Sequence, residues 1–209
     1  FQPLHRGRVG TGSMIYAQEG CTTCHSQLTR PTYAGKDVFR DGQGGFKSDP
    51  DRGDTRRITN YMDFHGEEMA NIGETRIGPD LGNYGSRVAA LAKATDKALA
   101  KELGVDVTEL GDKAFDKELY VYRHLFDARK VVVNSEKTNC PKNSRFFSKK
   151  KNYGQGAVNA VSVDDEYQYI PNDRGRAVAS YLLNLKRDGD VPVSMIYNKA
   201  KLAKPEAKK

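Results

Sequence analysis

Residues Cys21, Cys24 and His25, in the run Glu19-Gly20-Cys21-Thr22-Thr23-Cys24-His25-Ser26, place two thiols three positions apart and an imidazole directly after the second. On a single turn of chain, each thiol can add to a different vinyl group of one porphyrin. The adjoining imidazole then projects at the metal from one side, so the pattern reads as the covalent attachment of one haem c with His25 as an axial ligand. Two rival chemistries also use paired cysteines. A zinc site wants two further ligands at comparable spacing, and no second Cys-x-x-Cys exists. A thiol–disulfide exchange site wants the pair at a helix start after a strand in a thioredoxin-like α/β pattern, which is absent. Neither rival needs His25.

The elements that must hold these residues are short. Residues 12–19 read as a short helix that delivers the chain into the cysteine turn, with Ile15 and Tyr16 on its buried face. Val88, Leu91, Ala92, Leu99 and Leu103 recur at helical spacing over 86–103, with Thr95 on the same stripe. A second helix is expected near 113–127 on Phe115, Leu119, Tyr122 and Leu125. A third, capped by Asn172 or Asp173, runs to about Leu185 with Val178, Tyr181, Leu182 and Leu185 on its apolar side. Residues 30–78 are rich in Gly, Asp and Arg and read mostly as loop, with one helix near 60–70. Residues 128–170 are irregular, and no alternating strand pattern or internal repeat stands out. The expected class is mainly α, a helical domain around one haem with long irregular insertions.

Composition fits that picture. Of 209 residues, 37% are hydrophobic and 29% charged, a polar balance that leaves a small core which haem can enlarge. The reading is an N-terminal arm over 1–10, one domain over 11–188 and a basic tail over 189–209. That tail is either solvated or laid along another subunit. The net charge of +7 favours acidic partners. Apart from Lys149-Lys150-Lys151 and the tail the basic residues are dispersed, and no nucleic-acid motif appears, which argues against a nucleic-acid partner. No run of about 18 apolar residues occurs. A chain opening on Phe1 implies an upstream segment, either a cleaved secretory signal or an N-terminal anchor.

The run GSMIYAQEGCTTCHSQLTRP, 12–31, resembles a class I cytochrome c domain, with Gly12, Ile15, Tyr16 and Gly20 at the usual places before the first cysteine. It is most similar to the mono-haem cytochrome c subunit of cbb3-type terminal oxidases, whose motif continues as Cys-His-Ser-Gln-x-x-Arg-Pro. RIGPDLGNYGSR (76–87) and HLFDAR (124–129) resemble that family too. Residues 32–72, 88–118 and 145–170 stand outside the likeness as insertions. The resemblance implies that the backbone carbonyl at Pro79 accepts the Nδ1–H of His25, and that the first and last helices cross near Gly12 and Tyr181. It also implies that Arg30 neutralises a haem propionate, the alternative being a solvated surface charge.

The same resemblance exposes a gap at the second axial ligand. In that family a Met-Pro pair follows the His-Leu-x-x-x-Arg segment, whereas this chain carries Cys140-Pro141 there. Its four methionines, Met14, Met62, Met69 and Met195, all lie elsewhere. Cys140 is also the one cysteine left over after haem attachment. It is therefore the candidate sixth ligand as a thiolate, with His124, Met69 or an open, water-filled position as alternatives. A buried structural thiol or a bond to another subunit are the other readings of Cys140. A thiolate stabilises ferric iron and gives a low potential, where a thioether does the reverse.

These expectations describe a one-electron carrier, itself no enzyme, working as a subunit of a membrane-associated respiratory or photosynthetic complex. Its partners would be redox proteins or neighbouring subunits, and membrane association would come through them or through a missing N-terminal anchor. The resemblance implies the periplasm. The alternatives are a haem enzyme or gas or redox sensor with a displaceable sixth ligand, and an assembly factor with a structural haem.

Overall fold

The computed structural model describes residues 7–31, 33–40, 44–45, 47, 49–131, 139–153, 157, 159–163 and 166–191. Residues 1–6 of the expected arm and 192–209 of the expected tail, Met195 included, lie outside the described residues. The chain divides into two compact units, one built from Phe1–Cys21 with Asp116–Asn184 and the other from Thr22–Phe115 with Leu185–Lys209.

In the first unit α1 (Arg8–Gln18) packs along α5 (Asp173–Asn184). The helix starts four residues ahead of expectation, within the supposed arm, because the Thr11 N–H closes a first turn on the Gly7 carbonyl. Gly12 is what lets the helices meet: a Cβ there would stand 2.6 Å from the Ala177 carbonyl carbon and 2.8 Å from the Tyr181 Cβ. Tyr16 stacks obliquely on Tyr181 with ring centroids 5.4 Å apart. Ile15, Val178 and Leu182 are buried in the same unit. The Asn172 side chain caps α5 by accepting from the Gly175 N–H at 3.0 Å. Asp116 does the same for α4 (Lys117–Phe126) through the Leu119 N–H at 2.9 Å, which sets the start of that helix.

The unit also contains a sheet that the sequence did not announce. Strands β1 (Phe147–Lys151), β2 (Ser162–Val163) and β3 (Tyr167–Pro171) form an antiparallel sheet in the order β1-β3-β2. The register runs from Phe147 opposite Pro171 to Lys151 opposite Tyr167. Phe126 of α4 packs edge-on to Phe147, at 5.1 Å, and against Tyr169, at 5.0 Å, joining helix to sheet. The chain is thus mixed α and β, and the mainly α expectation is corrected. The physical reason is that β1 is an edge strand with one buried residue and four exposed ones, three of them lysines. Edge strands carry such lysines to discourage further pairing, and the apolar/polar alternation disappears with them.

In the second unit α3 (Tyr84–Leu103) ends where Gly104 takes a left-handed φ of 68°. Val88 and Ala92 of the expected stripe are buried, while Leu91 and Leu103 are exposed. The helix expected near 60–70 is a single 3₁₀ turn, Tyr61–Phe64. Ion pairs and buried hydrogen bonds knot the long insertion, with Val38 buried among them. Asp188, buried, accepts from Arg52 through two bonds, from Thr55 at 2.9 Å and from Ser86 at 2.8 Å. Arg57 pairs with Asp63, and Arg187 pairs with Glu67 while lying over the Phe64 ring.

Asp37 is the tightest knot. It accepts from the Arg30 backbone N–H at 2.7 Å and Nε at 2.9 Å, and pairs with Arg76 at 2.6 Å. Burial alone would raise its pKa, but the hydrogen bonds from Arg30 and Arg76 outweigh burial and hold it at about 2. A carboxyl depressed in the folded state contributes stability that is complete above its unfolded pKa and is lost as pH falls toward 2. Allowing for solvent around the part-exposed Arg30, that contribution is about 1–2 kcal/mol. Asp37→Asn should therefore lower stability at pH 7 and flatten the acid limb of a urea-unfolding series between about pH 5 and pH 2. An unchanged acid limb would contradict this account.

Candidate haem-binding site

The cysteine motif forms one helical turn, α2 (Cys21–Cys24), reached through Gly20 at a φ of 73°. Beyond it the chain is held by a ladder of backbone bonds to residues 72–81. The Thr22 carbonyl accepts from the Glu74 N–H at 2.8 Å, Cys24 from Gly78 at 2.9 Å, and Ser26 from Leu81 at 2.8 Å. The Gln27 N–H donates to the Ile72 carbonyl at 2.7 Å. This ladder brings Pro79 to His25. Nδ1 of His25 lies 2.8 Å from the Pro79 carbonyl oxygen. A carbonyl can only accept, so Nδ1 carries the hydrogen and Nε2 keeps the lone pair that a metal would take.

Gly78 makes that approach possible, since a Cβ there would stand 2.7 Å from Nδ1 and 2.9 Å from Nε2 of His25. Burial lowers the pKa of His25, against the Pro79 hydrogen bond and the nearby Asp80 charge, which act the other way. The imidazole is therefore neutral at pH 7, the form that ligates iron.

Sequence reasoning quoted Arg87 only as the end of a motif, but the fold gives it a place. Its guanidinium donates to the Asp80 backbone carbonyl, while Nη1 is shielded from solvent and has no hydrogen-bond partner among the described residues. Burial pulls its pKa below the usual guanidinium range, and Asp80 opposes this. A buried cationic nitrogen lacking an acceptor suits a ligand that carries a carboxylate, as a haem propionate does. The clue available from sequence was its distance from Pro79, but only burial shows the orphaned nitrogen. Arg30, the expected propionate partner, forks onto Asp37 through Nε and Nη2. Ile72 and Ile77, on the strip that pairs with the motif, are 44% and 63% exposed. Apolar side chains so placed suit the flank of a flat apolar ligand. The residues present fit a haem.

The chain matches no protein-family profile, no curated protein and no solved structure. The cysteines themselves must therefore discriminate among the chemistries. Cys21, Cys24 and Cys140 are half-buried thiols. Burial first, then the neighbouring Cys140 and Glu19, push the Cys21 thiol up to about 11. Thiol–disulfide exchange needs the opposite shift, toward thiolate. Among the described residues no three His, Cys, Asp or Glu side chains converge as a zinc site requires.

Cys140 lies within electrostatic reach of Cys21, both in the first unit, with its sulfur 3.8 Å from the Pro141 carbonyl. Of the alternative sixth ligands, His124 sits on α4 edge-on to Tyr120, with ring centroids 6.2 Å apart. Met69 is in the second unit and half-exposed.

Proposed function

We propose that this chain carries single electrons on one covalently attached haem c, as a subunit of a membrane-associated electron-transfer complex on the periplasmic side of the membrane, and that it performs no chemistry on a substrate of its own. The observation that carries the reading is the His25–Pro79 contact within the Cys-x-x-Cys-His turn. It fixes the tautomer and ring plane of a neutral imidazole directly beside two tethering thiols. When bound, haem supplies a one-electron ferric/ferrous couple.

Each residue has a separate task. Cys21 and Cys24 hold the group as thioethers, so it stays in place without a deep apolar pocket. His25 offers Nε2, Pro79 orients the ring, and Gly78 leaves room for it. Arg87 supports the reading by presenting a positive charge for a propionate, a task that Arg30 leaves free by pairing with Asp37. Among the described residues no helix is long and apolar enough to cross a membrane.

The test is the mass of the denatured polypeptide, which should be raised by one tetrapyrrole, together with a reversible one-electron titration. An unmodified mass overturns the proposal. Rapid CO binding with a high-spin ferric spectrum would replace it with the displaceable-ligand alternative.

For the second axial position we propose Cys140, on its chain position before Pro141. Cys140→Ala should remove the low-spin thiolate signature from the ferric EPR spectrum and raise the potential. An unchanged spectrum would pass the role to His124 or Met69.

A further inference from the structure

Beside the His25–Pro79 contact lies a carboxylate that the proposed chemistry has not used. Asp80 is fully buried. Its Oδ2 accepts from the Ser26 hydroxyl at 2.7 Å and from the Leu28 N–H at 2.8 Å. Its Oδ1 accepts from the Gly82 N–H at 2.9 Å. Ser26 follows His25 directly and Asp80 follows Pro79 directly, so one side chain fastens both strands of the contact within a residue of the two groups that make it. The carboxylate also acts electrostatically on both His25 and Arg87.

A purely local explanation exists, because a bond from Asp80 to the N–H two residues on is a common turn device. That explanation covers Gly82 alone. It leaves the two bonds across to Ser26 and Leu28 unexplained, and these tie segments more than fifty positions apart in sequence.

We infer that Asp80 is the positioning residue of the axial histidine: it clamps the Pro79 carbonyl against His25 and, by its buried negative charge, biases the iron toward the ferric state. The inference rests on the haem reading above. Its two consequences have opposite signs. Asp80→Asn removes the charge and, with its amide nitrogen turned to Gly82, keeps an oxygen for Ser26 and Leu28 and gives up the Gly82 bond alone. The cation formed on oxidation then loses a partner while Arg87 stays. Ser26→Ala keeps the charge and withdraws one hydrogen bond from it, so its field at His25 grows.

The experiment is an equilibrium redox titration of the full-length haem-bearing protein with each substitution, alongside its thermal melt. Asp80→Asn should shift the ferric/ferrous ratio at fixed potential about tenfold toward ferrous, equivalent to 59 mV for one electron. Ser26→Ala should shift it about threefold toward ferric. A merely structural carboxylate would lower the melting temperature in both variants and move both potentials the same way or not at all, which overturns the inference. If Asp80→Asn fails to fold, Ser26→Ala decides alone: a shift toward ferrous, or none, overturns it. A chain whose mass shows no tetrapyrrole sinks the haem reading and this inference together, whereas a haem-bearing chain with unmoved potentials sinks only the inference.

Discussion

On the proposed haem reading, Gly78→Ala should leave the group tethered and detach it from His25. The added methyl would stand under 3 Å from both ring nitrogens of His25, a separation that no packing tolerates. Either the ring swings away or the 77–79 strand retreats, and both break the 2.8 Å bond to Pro79. Backbone freedom is not at issue, so the effect is steric and local. Overpacking of this kind costs about 1–3 kcal/mol. The larger effect is on ligation. The proposed thioethers through Cys21 and Cys24 should survive, while the spectrum should move from low spin toward high spin. Gly189→Ala is the control, since a Cβ there meets nothing within 4 Å. Absorption and thermal melts of the two variants side by side check it, and a Gly78→Ala spectrum identical to the parent would refute the steric account of the site.

Gly12→Val should be the most damaging single change to the first unit. Its Cβ would fall 2.6 Å from the Ala177 carbonyl carbon and 2.8 Å from the Tyr181 Cβ, so α1 and α5 must part along their contact. Separation also breaks the Tyr16–Tyr181 ring contact and opens the layer containing Ile15 and Val178. The expected loss is about 3 kcal/mol or more. For a chain of this size that corresponds to a melting temperature lower by roughly 6–12 °C. The near-ultraviolet signal of the paired tyrosines should weaken along with it. A loss under about 1 kcal/mol would mean that the helices repack without strain.

These two glycines show how differently the parts of this chain could be read. Gly12 stands at a recognisable distance before the cysteines, and its helix carries enough periodicity to reveal its partner face. The long helix α3 and the C-terminal helix α5 were legible from apolar residues at intervals of three and four, although on α3 the fold buries Val88 and Ala92 and leaves Leu91 and Leu103 exposed. The sheet was hidden. β2 has two residues, and β1 spends three of five positions on lysine, so no alternation survives to be counted. The insertion over 32–72 was hidden for another reason. Its order comes from ion pairs such as Arg52 with Asp188, 136 positions apart, and charge composition carries no record of which partner is chosen.

The sequence by itself determined the chemistry offered near the N-terminus: two thiols and one imidazole in Cys21, Cys24 and His25. Those follow from residue type and spacing over a few positions, where chain geometry leaves little choice. Only the tertiary structure decided the surroundings of that chemistry. The Pro79 acceptor of His25 was expected from the family likeness, but the packed chain engaged Arg30 with Asp37 and left a buried nitrogen of Arg87 unmatched. Burial and long-range pairing are properties of the packed chain, and they set which charges are neutralised inside it and which remain for a ligand.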